Sequence, residues 1–177
     1  MSDTNEAPPR AWLAHAAADV AAADGVAALL GDALVGRSTA EGPIDLGDAE
    51  VVVVLVGQGT WRSARLDAEL EAAQRDDGDG ARAGLLGLLH PDYEYPGMRR
   101  RAVHGDELLR RTEPRTDPWW PYDVPRRLAL AIIDGHAVMR PWTGDAASLE
   151  EWCRDAAAAR KGAPPRDAGP PRAADHP

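Results

Sequence analysis

Two continuous apolar runs dominate the pattern of hydrophobic and polar positions along this chain. EVVVVLV at residues 50–56 contains six consecutive apolar, mostly β-branched residues, which is typical of a strand buried on both faces of a parallel sheet. GLLGLL at residues 84–89 predicts a second buried strand. Shorter strands are predicted at residues 11–14 and 137–140, with an edge strand at 44–46.

Between these runs, apolar residues recur with the period of an amphipathic helix. The periodicity predicts helices over residues 17–35, 62–75, 125–133 and 148–160. Gly36 would end the first helix, and Ser148 with Glu151 has the spacing of a capping box at the start of the last. Strands alternating with helices predict a doubly wound, mainly parallel α/β sheet of about five strands, with helices on both faces.

Composition sets the limits of the folded part. The chain has 177 residues, which fits one domain with loose ends. Residues 1–9 are polar and residues 161–177 are rich in Pro and Ala, so both ends are expected to be disordered around a domain at 10–160. Residues 91–122 hold many prolines and predict a long loop or lid.

Charge and cysteine content exclude several classes of function. A net charge of −9 argues against binding of nucleic acid or of an anionic membrane by the whole surface. Cys153 is the only cysteine, so an internal disulfide and a cysteine metal cluster are excluded. The N-terminal residues lack the apolar segment of a signal peptide, and residues 51–56 are too few to span a bilayer, so a cytoplasmic location is expected.

The local charge has the opposite sign in one segment. Residues 99–127 hold eight arginines and five acids, a net +3, together with Trp119, Trp120 and Tyr122. Arginine beside aromatic rings can bind a nucleotide or a phosphate. The alternative is a lid whose aromatic side chains pack onto the sheet.

Candidate binding residues follow the predicted strands. Ligands of doubly wound sheets bind at the carboxyl ends of the strands, near the switch in strand order. This rule selects His15, His90 and the turn Gly57, Gln58, Gly59, Thr60 and Trp61. Small residues in the turn would let a phosphate approach, but the third glycine of a dinucleotide fingerprint is replaced by Arg62, so a plain strand-to-helix turn stays open. The two histidines could serve acid–base chemistry or hold a ribose or phosphate, or they could be structural.

Glu69 lies in the helix predicted at 62–75, at the border of the face that carries Leu66, Leu70 and Ala73. A carboxylate at this border could face a cleft at the strand ends. It could equally be a solvated glutamate paired with Arg65 four positions earlier.

The stretch VVVVLVGQGTWRSARLDAELEAA at residues 51–73 resembles the TIR-like domain of the Thoeris anti-phage sensor family. That family has a buried strand ending in a Leu/Ile-Gly turn, then a threonine, a helix with an Asp-x-Glu motif and a Gly-Leu-Leu-Gly strand. The matching residues are Leu55, Gly57, Thr60, Ser63, Leu66, Asp67, Glu69, Leu70 and Gly84–Leu88. The sequence departs from the family at Arg65, where a tryptophan is expected, and at Ala14 and His15, which replace small polar and Tyr-like residues.

The resemblance implies a flavodoxin-like fold and a role in bacterial defence against phage. It implies that NAD+ is a substrate, with no prosthetic group and no metal, and that Glu69 is the catalytic glutamate. The product would be a cyclic ADP-ribose-type signal for a separate effector, and a phage-derived protein would be the trigger. Whether the chain forms a homo-oligomer stays open.

Two other functions remain open at this point. One is a TIR-like interaction or nucleotide-binding module without turnover. The other is a nucleoside deoxyribosyltransferase-like enzyme, since that fold also places a helix glutamate against a ribose.

Overall fold

A five-stranded sheet lies at the centre of the structure, a computed structural model that describes residues 7–57, 60–75, 83–90, 124–142 and 144–160. The strands are β1 (Ala11–Ala14), β2 (Leu34–Arg37), β3 (Val51–Val56), β4 (Gly84–Leu89) and β5 (Ala137–Pro141). All neighbours pair in parallel, in the order β2-β1-β3-β4-β5. This is the flavodoxin-like strand order, so the predicted doubly wound α/β class is confirmed.

Helices cover both faces of this sheet. They are α1 (Val20–Leu30), α2 (Ala64–Gln74), α3 (Arg126–Ile133) and α4 (Ala146–Ala159). Side chains of β3 alternate between the faces: Val51, Val53 and Leu55 pack with α1 and α4, whereas Val52, Val54 and Val56 pack with α2 and α3. Both sets are fully buried, which explains why the run at 51–56 is apolar at every position.

The edge strand lies where the sequence predicted helix. The helix predicted over 17–35 is a short 3-10 turn at Ala17–Asp19, then α1, a second 3-10 turn at Gly31–Ala33 and β2. Gly31 takes a φ of +51° directly after α1 and ends it there, although the apolar period continues through Leu34. The edge strand predicted at 44–46 was wrong: residues 38–50 form an irregular connection whose Leu46 is buried on the α2 and α3 face.

Two helix starts also differ from prediction. Helix α4 begins at Ala146, because the Asp145 carboxylate accepts the Ser148 backbone N–H at 2.8 Å, so Asp145 and not Ser148 is the cap. Helix α2 begins at Ala64 after a 3-10 turn at Thr60–Arg62, and Ser63 caps it. The remaining strands and α3 agree with prediction within one residue. The loop predicted at 91–122 and the tail at 161–177 lie outside the described residues.

Helix α4 packs against the first residue of β4 without space for a side chain. A Cβ atom at Gly84 would overlap the backbone carbonyl oxygen of Ala156. Glycine at this position therefore sets the distance between α4 and the sheet. Among the described helices, none is long and apolar enough to cross a membrane.

Candidate functional site

Strands β1 and β3 are neighbours at the centre of the sheet order, with β2 on the outer side of β1 and β4 on the outer side of β3. The order of the strands therefore reverses between β1 and β3, and their carboxyl ends mark this switch point. Ligands of flavodoxin-like sheets bind at this switch point. His15 directly follows β1, Gly57 directly follows β3, and His90 directly follows β4. The structure thus brings these three predicted residues to one edge of the sheet.

Glu69 is the most deeply buried charged residue of this edge, with a relative exposure of 0%. Its Oε2 accepts the Ser38 hydroxyl at 2.5 Å, and its Oε1 accepts the Nε–H of Arg65 at 3.1 Å. The expected pairing with Arg65 is therefore present, but the interpretation of Glu69 as a solvated surface glutamate was wrong. A carboxylate taken out of water needs such partners, because an unpaired buried charge is strongly unfavourable.

Ser38 connects Glu69 to the strand ends. It follows β2, is 8% exposed, and its Oγ accepts the backbone N–H of His15 at 3.1 Å while it donates to Glu69. Its own backbone N–H donates to the Leu13 carbonyl at 2.9 Å. Sequence reasoning missed Ser38 because the preceding strand was predicted as helix; once β2 is recognised, a serine at its carboxyl end meets the same rule that selected His15.

Arg65 closes the other side of Glu69. Its guanidinium donates to the carbonyl oxygens of Gly42 at 2.6 Å and Pro43 at 3.4 Å, in addition to Glu69. The connection at 38–50 is thereby fastened over the carboxylate. Arg65 stands where the resembled family has a tryptophan, and here it makes a charged contact that a tryptophan cannot make.

Asp19 is a second residue that sequence reasoning missed. Its carboxylate lies against Gly57, where an added Cβ would come within 2.5 Å of Oδ1 and 2.6 Å of Oδ2. Burial raises the pKa of the Asp19 carboxyl above its ordinary 3.8, against the opposing effect of the nearby His90 and His15 side chains.

The His15 ring is 8% exposed. Its Nδ1 lies 2.9 Å from the Ala16 carbonyl oxygen, and its Nε2 is buried with no hydrogen-bond partner among the described residues. His90 is half-buried and fixed through its backbone N–H, which donates to the Val56 carbonyl at 3.0 Å.

The turn after β3 is held by Thr60. Its fully buried hydroxyl accepts the Gly57 N–H at 2.7 Å and donates to the Gly57 carbonyl at 2.8 Å. Thr60 therefore holds the turn through both backbone polar atoms of Gly57. Gln58, Gly59 and the Trp61 side chain lie outside the described part of the structure.

Ser63 caps the N-terminus of α2, since its Oγ accepts the Leu66 N–H at 3.2 Å. Within the described ranges, no group of three His, Cys, Asp or Glu side chains could hold a metal ion.

No protein-family model, no curated protein and no solved structure matches this chain.

Proposed function

We propose that this protein is a TIR-like enzyme that cleaves the bond between nicotinamide and ribose in NAD+, with Glu69 as the catalytic carboxylate. In this proposal the ADP-ribose product, cyclic or linear, is a signal for a separate effector in defence against phage. NAD+ is a substrate, and the reaction uses no prosthetic group.

The observation that carries the proposal is the placement of Glu69. Its carboxylate is fully buried on the helix that follows the central strand, and Ser38 ties it to the ends of β1 and β2 at the switch point. A buried ion pair adds little net stability, because desolvation opposes the gain from pairing. A functional role therefore explains a buried carboxylate at this position better than stability does.

The chemistry asks for one preorganised negative charge. When the bond between C1′ of the ribose and the pyridinium nitrogen breaks, the electron pair leaves with neutral nicotinamide and positive charge develops on C1′ and the ring oxygen. A carboxylate in a site of low dielectric stabilises this charge more than water does. Water then adds to C1′ in hydrolysis, or a group of the same molecule adds in cyclisation.

Both oxygens of Glu69 already have partners, so a ribose reaches it only when Arg65 or Ser38 moves. Arg65 is the residue that can move more easily, since its side chain is 22% exposed and its remaining bonds go to two carbonyl oxygens of the 38–50 connection. This arrangement suits an enzyme that is silent until a trigger opens the site.

Nicotinamide release from NAD+ tests the proposal, with purified full-length protein in the presence and absence of phage lysate. Glu69→Gln should abolish release, whereas Glu71→Gln should leave it unchanged, because Glu71 lies on the same helix with a 57% exposed side chain. Release that is unaffected by Glu69→Gln would refute the assigned role.

The burial of Glu69 also favours a second candidate, a nucleotide-binding or interaction module without turnover. In that case the Ser38–Glu69–Arg65 contacts serve only to hold the 38–50 connection. Binding of NAD+ with no nicotinamide release under any trigger would support this candidate, and base exchange on deoxynucleosides would instead indicate a deoxyribosyltransferase.

A further inference from the structure

The geometry points to a second subsite at the β1/β3 switch point, in which Asp19 and His15 accept hydrogen bonds from a donor-rich group of the ligand. Such a group is either the vicinal hydroxyls of a ribose or the carboxamide NH2 of nicotinamide. The identity of the nucleotide rests on the proposed function, whereas the donor character of the ligand follows from the protein atoms alone.

The His15 ring supplies one of the two hydrogen-bond acceptors. Its Nδ1 lies 2.9 Å from the Ala16 carbonyl oxygen, and a carbonyl can only accept, so Nδ1 carries the proton. In the neutral imidazole, Nε2 is then an acceptor. This acceptor is buried in a residue that is 92% covered, and it lacks a partner among the described residues. A buried acceptor without a donor is unfavourable, and a hydrogen-bond donor of a bound ligand would satisfy it.

Asp19 supplies the second acceptor. It occupies the N-cap position of α1, yet its side chain makes no capping hydrogen bond. The carboxylate instead lies against Gly57, and its Oδ2 is buried with no partner in the described part of the chain. An aspartate at the N-cap position normally stabilises its helix by about 1 kcal/mol through a capping hydrogen bond, and Asp19 lacks this bond. Positions at which a residue does not make its usual stabilising contact are often functional.

The two acceptors face one region. Side chains alternate along β1 and β3, and this alternation places His15 and Gly57 on the same face as α1, whose N-cap residue is Asp19. Asp19 lies against Gly57, the residue that follows β3, and His15 follows the neighbouring strand β1. Two acceptors repel a phosphate or another acceptor and favour hydroxyl or amide N–H groups. The pyrophosphate of a nucleotide would therefore lie away from Asp19, with its ribose or base end toward it.

Isothermal titration of the full chain with ADP-ribose and with nicotinamide tests this subsite without requiring turnover. ADP-ribose carries ribose hydroxyls but no carboxamide, and nicotinamide carries only the carboxamide, so the two arms separate the sources of the donor. Asp19→Asn should weaken binding of one probe about tenfold, the effect of about 1.4 kcal/mol for a lost charged hydrogen bond. Asp24→Asn is the matched control, since this exposed residue of the same helix pairs only with Arg37 in the described part of the chain.

Two variants of His15 test the same subsite from its other side, so that the result does not depend on the folding of one Asp19 variant. His15→Asn keeps a donor near the Ala16 carbonyl and removes the acceptor at Nε2, so it should weaken the same probe as Asp19→Asn does. His15→Gln places a polar atom near Nε2 and should bind more tightly than His15→Asn. Equal dissociation constants for Asp19→Asn, His15→Asn and the unaltered protein would overturn the subsite, and so would the absence of binding of both probes. A chain that binds and responds to these changes but releases no nicotinamide keeps the subsite and refutes the proposed function.

Discussion

The Ser38 hydroxyl donates a 2.5 Å hydrogen bond to Oε2 of Glu69, although 31 positions separate the two residues in the chain. The same hydroxyl oxygen accepts the backbone N–H of His15 at 3.1 Å. The Ser38 hydroxyl thus donates one hydrogen bond and accepts another, and these two bonds connect the end of β2, where Ser38 lies, to the end of β1 and to the middle of α2. The position of the carboxylate relative to the switch point depends on this connection.

Ser38→Ala should therefore change both stability and activity. It leaves Oε2 of Glu69 and the N–H of His15 without their partner, which we expect to lower the free energy of unfolding by about 1–3 kcal/mol. Nicotinamide release should fall as well, because the carboxylate loses its orientation. Urea unfolding and the release assay measure the two effects. Thr39→Ala is the control, since this exposed neighbour bonds only the Glu41 carbonyl at 2.7 Å within the described contacts. Equal stability of the two variants would contradict the connecting role of Ser38.

Arg65→Gln should loosen the connection at 38–50. The variant loses the charge beside Glu69 and weakens the bonds to the Gly42 and Pro43 carbonyls. Since Arg65 is partly exposed, we expect a loss of about 1–3 kcal/mol, less than for a fully buried pair. Amide hydrogen exchange should become faster within residues 38–50 and stay unchanged in β4. Arg154→Gln breaks an exposed i, i+4 pair with Glu150 and should change stability by less than about 0.5 kcal/mol. Unchanged exchange at 38–50 would show that Arg65 does not fasten this segment.

Asp19→Asn should stabilise the protein at neutral pH. Burial raises the pKa of this carboxyl above 3.8, so the folded state binds the proton more tightly than the unfolded state does. Stability from this group is then fully present below pH 3.8 and is lost as the pH rises through the folded pKa. The asparagine variant lacks this loss, so its melting temperature should exceed that of the unaltered protein at pH 7 and match it more closely at pH 3.5. A gain that grows on acidification would contradict the direction of the shift.

Gly84→Ala should be among the most destabilising single methyl additions in the chain. The new Cβ would overlap the Ala156 carbonyl, and α4 could make room only by moving away from β4. We expect a loss of about 1–3 kcal/mol or more. Gly25→Ala is a contrasting control in α1, where an added Cβ meets nothing within 4 Å. It should stabilise by about 0.5–1 kcal/mol, the difference in helix propensity. Thermal unfolding measures both, and equal signs would contradict the close approach of α4.

The sequence predicted the parts of the fold that local patterns determine. The continuous apolar run of β3 and the period of α2 are set by burial on two faces and on one, and both are visible in the residues. Strand β2 was missed because Leu34 continues the period of α1, and only the backbone of Gly31 interrupts it. Residues 44–46 form no strand, and Leu46 instead contributes its side chain to the core from an irregular connection.

Some residues of the candidate site could be selected from the sequence, and others become visible only in the structure. The rule that ligands bind at strand ends selected His15, Gly57 and His90, and the helix period together with the resemblance selected Glu69. Neither could select Ser38 or Asp19, since their positions depend on contacts between residues 38 and 69 and between residues 19 and 57. Thr60 was selected as a binding residue from its place in the turn, and the bonds of its hydroxyl to Gly57 became visible only in the folded chain. Long-range contacts and side-chain orientation are properties of the folded chain, and local periodicity does not encode them.

The role proposed for Glu69 is cleavage of the nicotinamide–ribose bond, and a comparison of Glu69→Gln with Glu71→Gln in an NAD+ assay tests this role. Both variants remove one carboxylate from α2, at a fully buried and at an exposed position. Folding is checked first by circular dichroism. We predict that the Glu71 variant releases nicotinamide at the rate of the unaltered protein and that the Glu69 variant is slower by at least about 100-fold, as expected for loss of a preorganised charge. If a folded Glu69 variant released nicotinamide at the rate of the unaltered protein, or if no form released it with or without phage lysate, the role proposed for Glu69 would be contradicted.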